Sequence, residues 1–143
     1  MRFFDTNILV YAATFQDLRK KAIAVELLQH AMKVNHDGVI STQVLQEMNC
    51  TLLRKFKFPV EAIDEVMTCY VELLASDVTV DVVRRALTIQ EEYQLQYYDA
   101  LIVATASKLG CTEIVSEDLD DSREYCGMAV VNPFRGEGEG ERR

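Results

Sequence analysis

Four acidic residues stand where they can act together: Asp5, Glu47, Asp99 and Asp118. Asp5 closes the short apolar run Arg2-Phe3-Phe4. Glu47 lies about one turn into a helical pattern that follows the apolar pair Val39-Ile40. Asp99 opens the run Ala-Leu-Ile-Val-Ala-Thr-Ala, and Asp118 follows the apolar segment Glu113 to Ser116 by two residues. Gathering carboxylates is costly, since two unit charges ~4 Å apart repel by about 4 kcal/mol at an effective dielectric of 20. Such a group persists when some members take up protons or a cation neutralises them. Ligands that are all oxygen select hard ions, Mg²⁺ or Mn²⁺. A carboxylate-held ion lowers the pKa of a bound water, orients a phosphate and stabilises a leaving oxygen, which suits phosphodiester hydrolysis. Each acid alone has a plainer use. Asp5-Thr6-Asn7 can be a polar turn, Glu47 a solvated helix residue, Asp99 a helix-start acid favoured by the dipole, and the segment 116–121 a charged capping loop.

The case therefore rests on the elements that would carry these acids. Met1 to Asp5 reads as a first strand whose apolar character suits a central parallel position. Asp17 can cap a helix over roughly residues 18–34, with Gly38 breaking the pattern and Val39-Ile40 forming a second strand. Ser41 and Thr42 offer capping hydroxyls for a helix running to about Phe56, with Val44, Leu45, Met48, Leu52 and Leu53 at helical spacing. Pro59 suits the first turn of the next helix. The β-branched triplet Val78-Thr79-Val80 reads as a third strand, and Asp81 as the cap of a helix through about Gln90. A helix from about Asp99 ends at Lys108 and Gly110, ordinary C-terminal signals. Glu113 to Ser116 and Ala129 to Asn132 read as fourth and fifth strands, and Pro133 stops the last. Alternating strands and helices predict an α/β fold, a three-layer α/β/α sandwich around a mainly parallel five-stranded sheet. In such sheets chemistry sits in the crevice beyond the carboxyl ends of the strands. Asp5, Glu47 and Asp118 follow strands closely, and Asp99 joins them if its helix starts at that edge.

The bulk properties limit the alternatives. A chain of 143 residues fits one domain with a core large enough to need no disulfide or structural zinc. Residues 1–134 form the expected domain, and 135–143, charged, Gly-rich and without an apolar anchor, the expected disordered tail. No apolar run approaches the ~20 residues of a membrane span, and the N-terminus lacks a signal-peptide core, so a cytoplasmic protein is expected. Cys50, Cys69, Cys111 and Cys126 form no Cys-x-x-Cys pair, and His30 and His36 stand far from them, so zinc is not expected and the thiols should be free. The net charge of −8 is awkward for a nucleic-acid enzyme, whose phosphate contacts usually need a basic surface. It suits a basic protein partner, and cations bound at an acidic site would reduce the conflict.

The residues also resemble a known family. Phe4-Asp5-Thr6-Asn7-Ile8-Leu9-Val10-Tyr11 resembles the opening of PIN domains. Ser41-Thr42-Gln43-Val44-Leu45-Gln46-Glu47 resembles their second motif, Tyr98-Asp99-Ala100-Leu101-Ile102-Val103-Ala104 the third, and Ile114-Val115-Ser116-Glu117-Asp118-Leu119 the fourth. Val131-Asn132-Pro133-Phe134 looks like the ending of one bacterial subgroup. The resemblance covers about residues 1–134 and implies a VapC-like toxin endoribonuclease that hydrolyses RNA with Mg²⁺, for which Mn²⁺ can substitute. It implies that Asp5, Glu47, Asp99 and Asp118 are the metal and catalytic set. Asp5 and Asp99 would be direct ligands, and Glu47 and Asp118 would bind directly or through water. Thr6, Asn7 and Ser116 would be supporting hydrogen-bonders. It further implies a homodimer and a cognate antitoxin whose tail covers the site. A PIN module without catalysis, binding RNA or a protein, is the alternative. An aspartyl phosphatase using Asp5 is disfavoured, because such enzymes commonly carry a second Asp where Asn7 stands here.

One departure concerns the loop after Asp118, which reads Leu-Asp-Asp-Ser-Arg-Glu-Tyr-Cys where that subgroup often has a Gly-Gln pair. This leaves Asp120 and Asp121 as metal helpers or as solvated loop acids. Arg54, Lys55 and Lys57, and separately Arg19, Lys20 and Lys21, are candidates to meet RNA phosphates, with a solvated helix face as the plain reading. Tyr97 and Tyr98 can stack on bases or simply pack.

Overall fold

In a computed structural model describing residues 1–136, the chain forms six strands and six α-helices. In order these are β1 (Arg2–Phe4), α1 (Thr6–Ala13), α2 (Leu18–His30), β2 (Gly38–Ser41), α3 (Thr42–Arg54), α4 (Val60–Tyr70), β3 (Leu74–Ser76), α5 (Val80–Tyr93), α6 (Tyr97–Lys108), β4 (Glu113–Val115), β5 (Glu124–Tyr125) and β6 (Met128–Val131). A π-helical turn, Ala31–Asn35, extends α2, and a 3₁₀ turn, Val71–Leu73, leads into β3. Among the described residues no helix is long and apolar enough to cross a membrane.

The strand order is β3-β2-β1-β4-β6-β5, with every neighbouring pair parallel except β5 with β6. Successive residues of a strand point to opposite faces of a sheet. Phe3 and Phe4 are both fully buried, as are Ile114 and Val115 of the adjacent strand. Both faces of the sheet centre are therefore covered. Helix α1 packs against α2 and α3, and α5 packs against α6. Ala100 through Ala106 are all buried, so α6 is a core helix with no water-facing stripe over that stretch.

Glycine at 38 is a packing requirement. A Cβ there would lie 2.7 Å from Cε2 of Phe4 and 2.9 Å from Cβ of Ala31. The first strand thus carries a large ring that only a missing side chain on β2 accommodates.

Three elements depart from the sequence expectations. The third strand is Leu74–Ser76 instead of Val78-Thr79-Val80. Residues 74–76 reach the free edge of β2, where Ile40 pairs with Leu74 and Ser41 with Ser76 across a register shift. Thr79 becomes the N-cap of α5, displacing Asp81 into the first turn, where the helix dipole favours it. Edge pairing outweighs local β-propensity here. The sheet has six strands instead of five, because Glu124–Tyr125 turns back on β6 as an antiparallel hairpin. Its two-residue loop, Cys126-Gly127, has φ of 50° and 77°, the left-handed pair of a type I′ turn. No element is expected between residues 6 and 16, yet Thr6–Ala13 is helical. Residues 137–143 of the expected tail lie outside the described residues, while Arg135 is ion-paired to Asp121 at 2.8 Å.

Candidate active site

The topology determines where the acids meet. Crossovers leave β1 on one side toward β2 and β3, and the later strands β4 and β6 add on its other side. The crevice at such a reversal, beyond the strand carboxyl ends, is where open α/β sheets bind ligands. Phe4 pairs with Val115, and the Asp5 amide donates to the Val115 carbonyl at 3.0 Å. Asp5 and Ser116 therefore leave the sheet side by side at the switch point, with Asp118 two residues further along.

Hydrogen bonds hold Asp5 on both oxygens. Its Oδ1 accepts from the Thr6 amide at 2.7 Å, which also caps α1, and its Oδ2 accepts from the Ser116 hydroxyl at 2.7 Å. The Ser116 oxygen in turn accepts from the amides of Asp118 (3.1 Å) and Leu119 (3.3 Å), shaping the loop. Asn7 bridges the two acids. Its Nδ2 donates to Asp118 Oδ2 at 3.0 Å and, at a longer 3.4 Å, to Asp5 Oδ2. Its Oδ1 accepts from the Glu117 amide at 3.2 Å. Thr6, by contrast, contributes its backbone N–H, and its hydroxyl oxygen is buried without a partner among the described residues.

Glu47 and Asp99 arrive on helices. Glu47 sits on α3, immediately after β2, and its Oε1 accepts from Gln43 Nε2 at 2.7 Å. The same Gln43 nitrogen donates to the Tyr98 carbonyl at 3.0 Å, tying the start of α6 to the start of α3. Asp99 lies in the first turn of α6. Gln43 is a site residue that the sequence reading missed. Its spacing of four from Glu47 on one helix face is the signal that could have found it.

The electrostatics join the four acids. Burial pushes the Asp5 carboxyl up to about 7; the bonds from Ser116 and Thr6 oppose this, and the charges of Asp118 and Asp99 add to it. Glu47 is raised first by burial, against the bond from Gln43, and further by Asp99 and Asp118. Asp99 is raised by burial and then by Asp118. Among the described residues no three His, Cys, Asp or Glu side chains already close into a metal cluster. The acids are thus within electrostatic range, held apart as a loose set.

A recess of about 270 Å³ adjoins them, lined by Glu47, Asp118, Asn7, Tyr11, Thr51 and Lys55 among others. Of the basic candidates, Lys55 faces this recess, while Arg54 and Lys57 are exposed nearby. Arg19, Lys20 and Lys21 are engaged by the chain itself, through the Phe134 carbonyl, Glu117 and the Ala12 carbonyl respectively. Asp120 accepts from the amide and hydroxyl of Ser122, and Asp121 pairs with Arg135. Tyr98 is exposed, with its ring edge-on to that of Tyr97 and 5.4 Å between centroids.

A doubly covered, mainly parallel sheet with acid-bearing segments at its switch point defines an α/β domain with a candidate site at the strand carboxyl ends. The PIN domain family profile matches residues 2–126, and the chain belongs to that family. Solved structures agree on the fold. The VapC20 toxin of Mycobacterium tuberculosis, described as sarcin-ricin-loop cleaving, is 20% identical with a TM-score of 0.61, over 80% of this chain and 87% of that one. A toxin–antitoxin complex from Klebsiella pneumoniae is 22% identical with a TM-score of 0.65, over 94% and 98%. FitAcB from Neisseria gonorrhoeae is 13% identical with a TM-score of 0.63, over 94% and 99%. No curated protein sequence matches the chain significantly.

Proposed function

We propose that the chain is a divalent-metal-dependent endoribonuclease, the toxin of a toxin–antitoxin pair. The observation that carries this reading is the electrostatic grouping of Asp5, Glu47, Asp99 and Asp118 about the sheet switch point, where burial and the charges of neighbouring acids push three of them toward the protonated form. Buried like charges either protonate or recruit a counterion. The donors are all oxygen, the set that Mg²⁺ and Mn²⁺ prefer. Two buried oxygens on residues that touch these acids, Thr6 Oγ1 and Gln43 Oε1, lack partners among the described residues.

Asp5, Glu47, Asp99 and Asp118 would hold the ion, which when bound supplies charge neutralisation on a phosphodiester and a more acidic water. The chain's own residues do the rest. Ser116 and the Thr6 amide fix both oxygens of Asp5, so the carboxylate need not reorganise. Asn7 keeps Asp118 beside Asp5, and Gln43 keeps Glu47 facing the start of α6. Lys55 offers a positive charge to a phosphate in the recess. The proposed partners are an RNA substrate, a second copy of the chain in a homodimer, and a basic antitoxin segment, which the net charge of −8 would favour. Membership of the PIN family and the fold shared with toxin–antitoxin proteins support this reading.

A cleavage assay on a mixed RNA pool tests it. Wild type should cut with Mg²⁺ or Mn²⁺ and stop with EDTA. Asp5→Asn and Asp99→Asn should each lose at least about 100-fold in rate, a loss of a few kcal/mol of barrier lowering. Cleavage unaffected by EDTA or by both substitutions would overturn the assignment. Metal-dependent RNA or protein binding without cleavage would instead indicate a non-catalytic module.

A further inference from the structure

Glu117 precedes Asp118, lies half-buried beside the same recess, and is held from three directions. Its carboxylate accepts from the Tyr11 hydroxyl at 2.7 Å and forms an ion pair with the Lys20 ammonium. Its backbone amide donates to Asn7, the residue whose other end holds Asp118. Lys20 comes from α2, a helix that contributes none of the four acids. Its ammonium lies 4.9 Å from the Tyr11 ring centroid and 5.5 Å from that of Phe134, and those two rings meet edge-to-face at 5.0 Å. The cation thus lies against both aromatic rings and is about a quarter exposed, as is its partner. An isolated surface ion pair contributes little. This one instead joins α1, α2 and the C-terminal segment to the loop that carries Asp118.

We infer that Lys20 and Glu117 form a positioning pair, which fixes the loop 116–119 so that Asp118 and Asn7 are presented to the metal. The inference rests on the proposed nuclease reading for its purpose, though not for its geometry. Lys20 acts in two ways. It tethers Glu117, and it neutralises a fifth carboxylate that would otherwise add its charge beside Asp118. Lys20 is therefore no RNA contact. It is a strut whose loss reaches the site through Glu117. Supporting groups of this kind typically alter metal affinity by about 10–100-fold when removed.

The test uses the full chain as Lys20→Met, Lys20→Arg and Glu117→Gln, with Arg2→Met as a control. Arg2 makes a comparable half-buried ion pair with Asp37 at the amino ends of the strands, away from the acids. Two readouts are taken: Mn²⁺ affinity by titration calorimetry, and amide hydrogen exchange at residues 117–119. Lys20→Met and Glu117→Gln should weaken Mn²⁺ binding about ten-fold and speed exchange at 117–119, with Lys20→Arg restoring both and Arg2→Met changing neither. Circular dichroism separates these effects from general unfolding. If Lys20→Met folds and keeps wild-type exchange at 117–119, the positioning role is overturned. If the wild type itself takes up no Mn²⁺, the nuclease reading fails, while the exchange measurement still decides whether the pair fixes the loop.

Discussion

Asp5 is the residue at which stability and function conflict. Its carboxyl is buried, bonded on both oxygens, and raised from 3.8 to about 7. The folded state therefore binds a proton more tightly than the unfolded state between those values. Stability falls as pH rises across that interval and is lowest once Asp5 is charged, above about 7. The shift corresponds to about 4 kcal/mol as an upper limit. An Asn at this position keeps the acceptor for the Thr6 amide and removes the buried charge. Metal-free Asp5→Asn should thus match the wild type in urea unfolding at about pH 3.5, exceed it increasingly up to about pH 7, and hold a constant advantage above that. An advantage that is flat or reversed with pH would contradict the burial account. The residue types and order of the candidate site were legible because each acid follows a strand, lies on the helix after one or opens a helix. Gln43 left only its spacing of four from Glu47, which does not by itself single it out, and the pairing of Lys20 with Glu117 left no local pattern, because it joins segments 97 residues apart.

At the scale of elements, the central strands and the long helices could be read, and the edges could not. Phe3-Phe4, Val39-Ile40 and Ile114-Val115 are short apolar runs, and runs of this kind are what a doubly covered parallel sheet requires. The edge strands depend on what lies beside them. Leu74–Ser76 is mostly exposed and pairs only because β2 offers a free edge, whereas Val78-Thr79-Val80 has the better local propensity and no edge to join. The hairpin at Cys126-Gly127 uses two left-handed residues without the usual Asn-Gly signature. Gly38 shows how tightly the central elements are matched. Gly38→Ala should cost about 1–3 kcal/mol, the range for an overpacked core, because the Phe4 ring and Ala31 would have to yield. A melting temperature within a degree of wild type would show that this contact relaxes freely.

For the whole molecule, the proposed reading makes the fold a device for bringing acids from four separate segments to one rim. Strand order places the ends of β1 and β4 side by side, β2 delivers α3 with Glu47 next to them, and Gln43 draws in the start of α6 with Asp99. On that reading the net charge of −8 has a use as well as a cost: it would disfavour loose binding to RNA and favour a basic partner. The shared rim is the claim on which all else depends, and anomalous scattering from crystals of the wild-type protein grown with Mn²⁺ tests it most directly. The account predicts an ion bound by carboxylate oxygens drawn from Asp5, Asp99, Asp118 and Glu47, and its loss in Asp99→Asn. Crystals saturated with Mn²⁺ that show no ion at this rim, or an ion held by other residues, would contradict it.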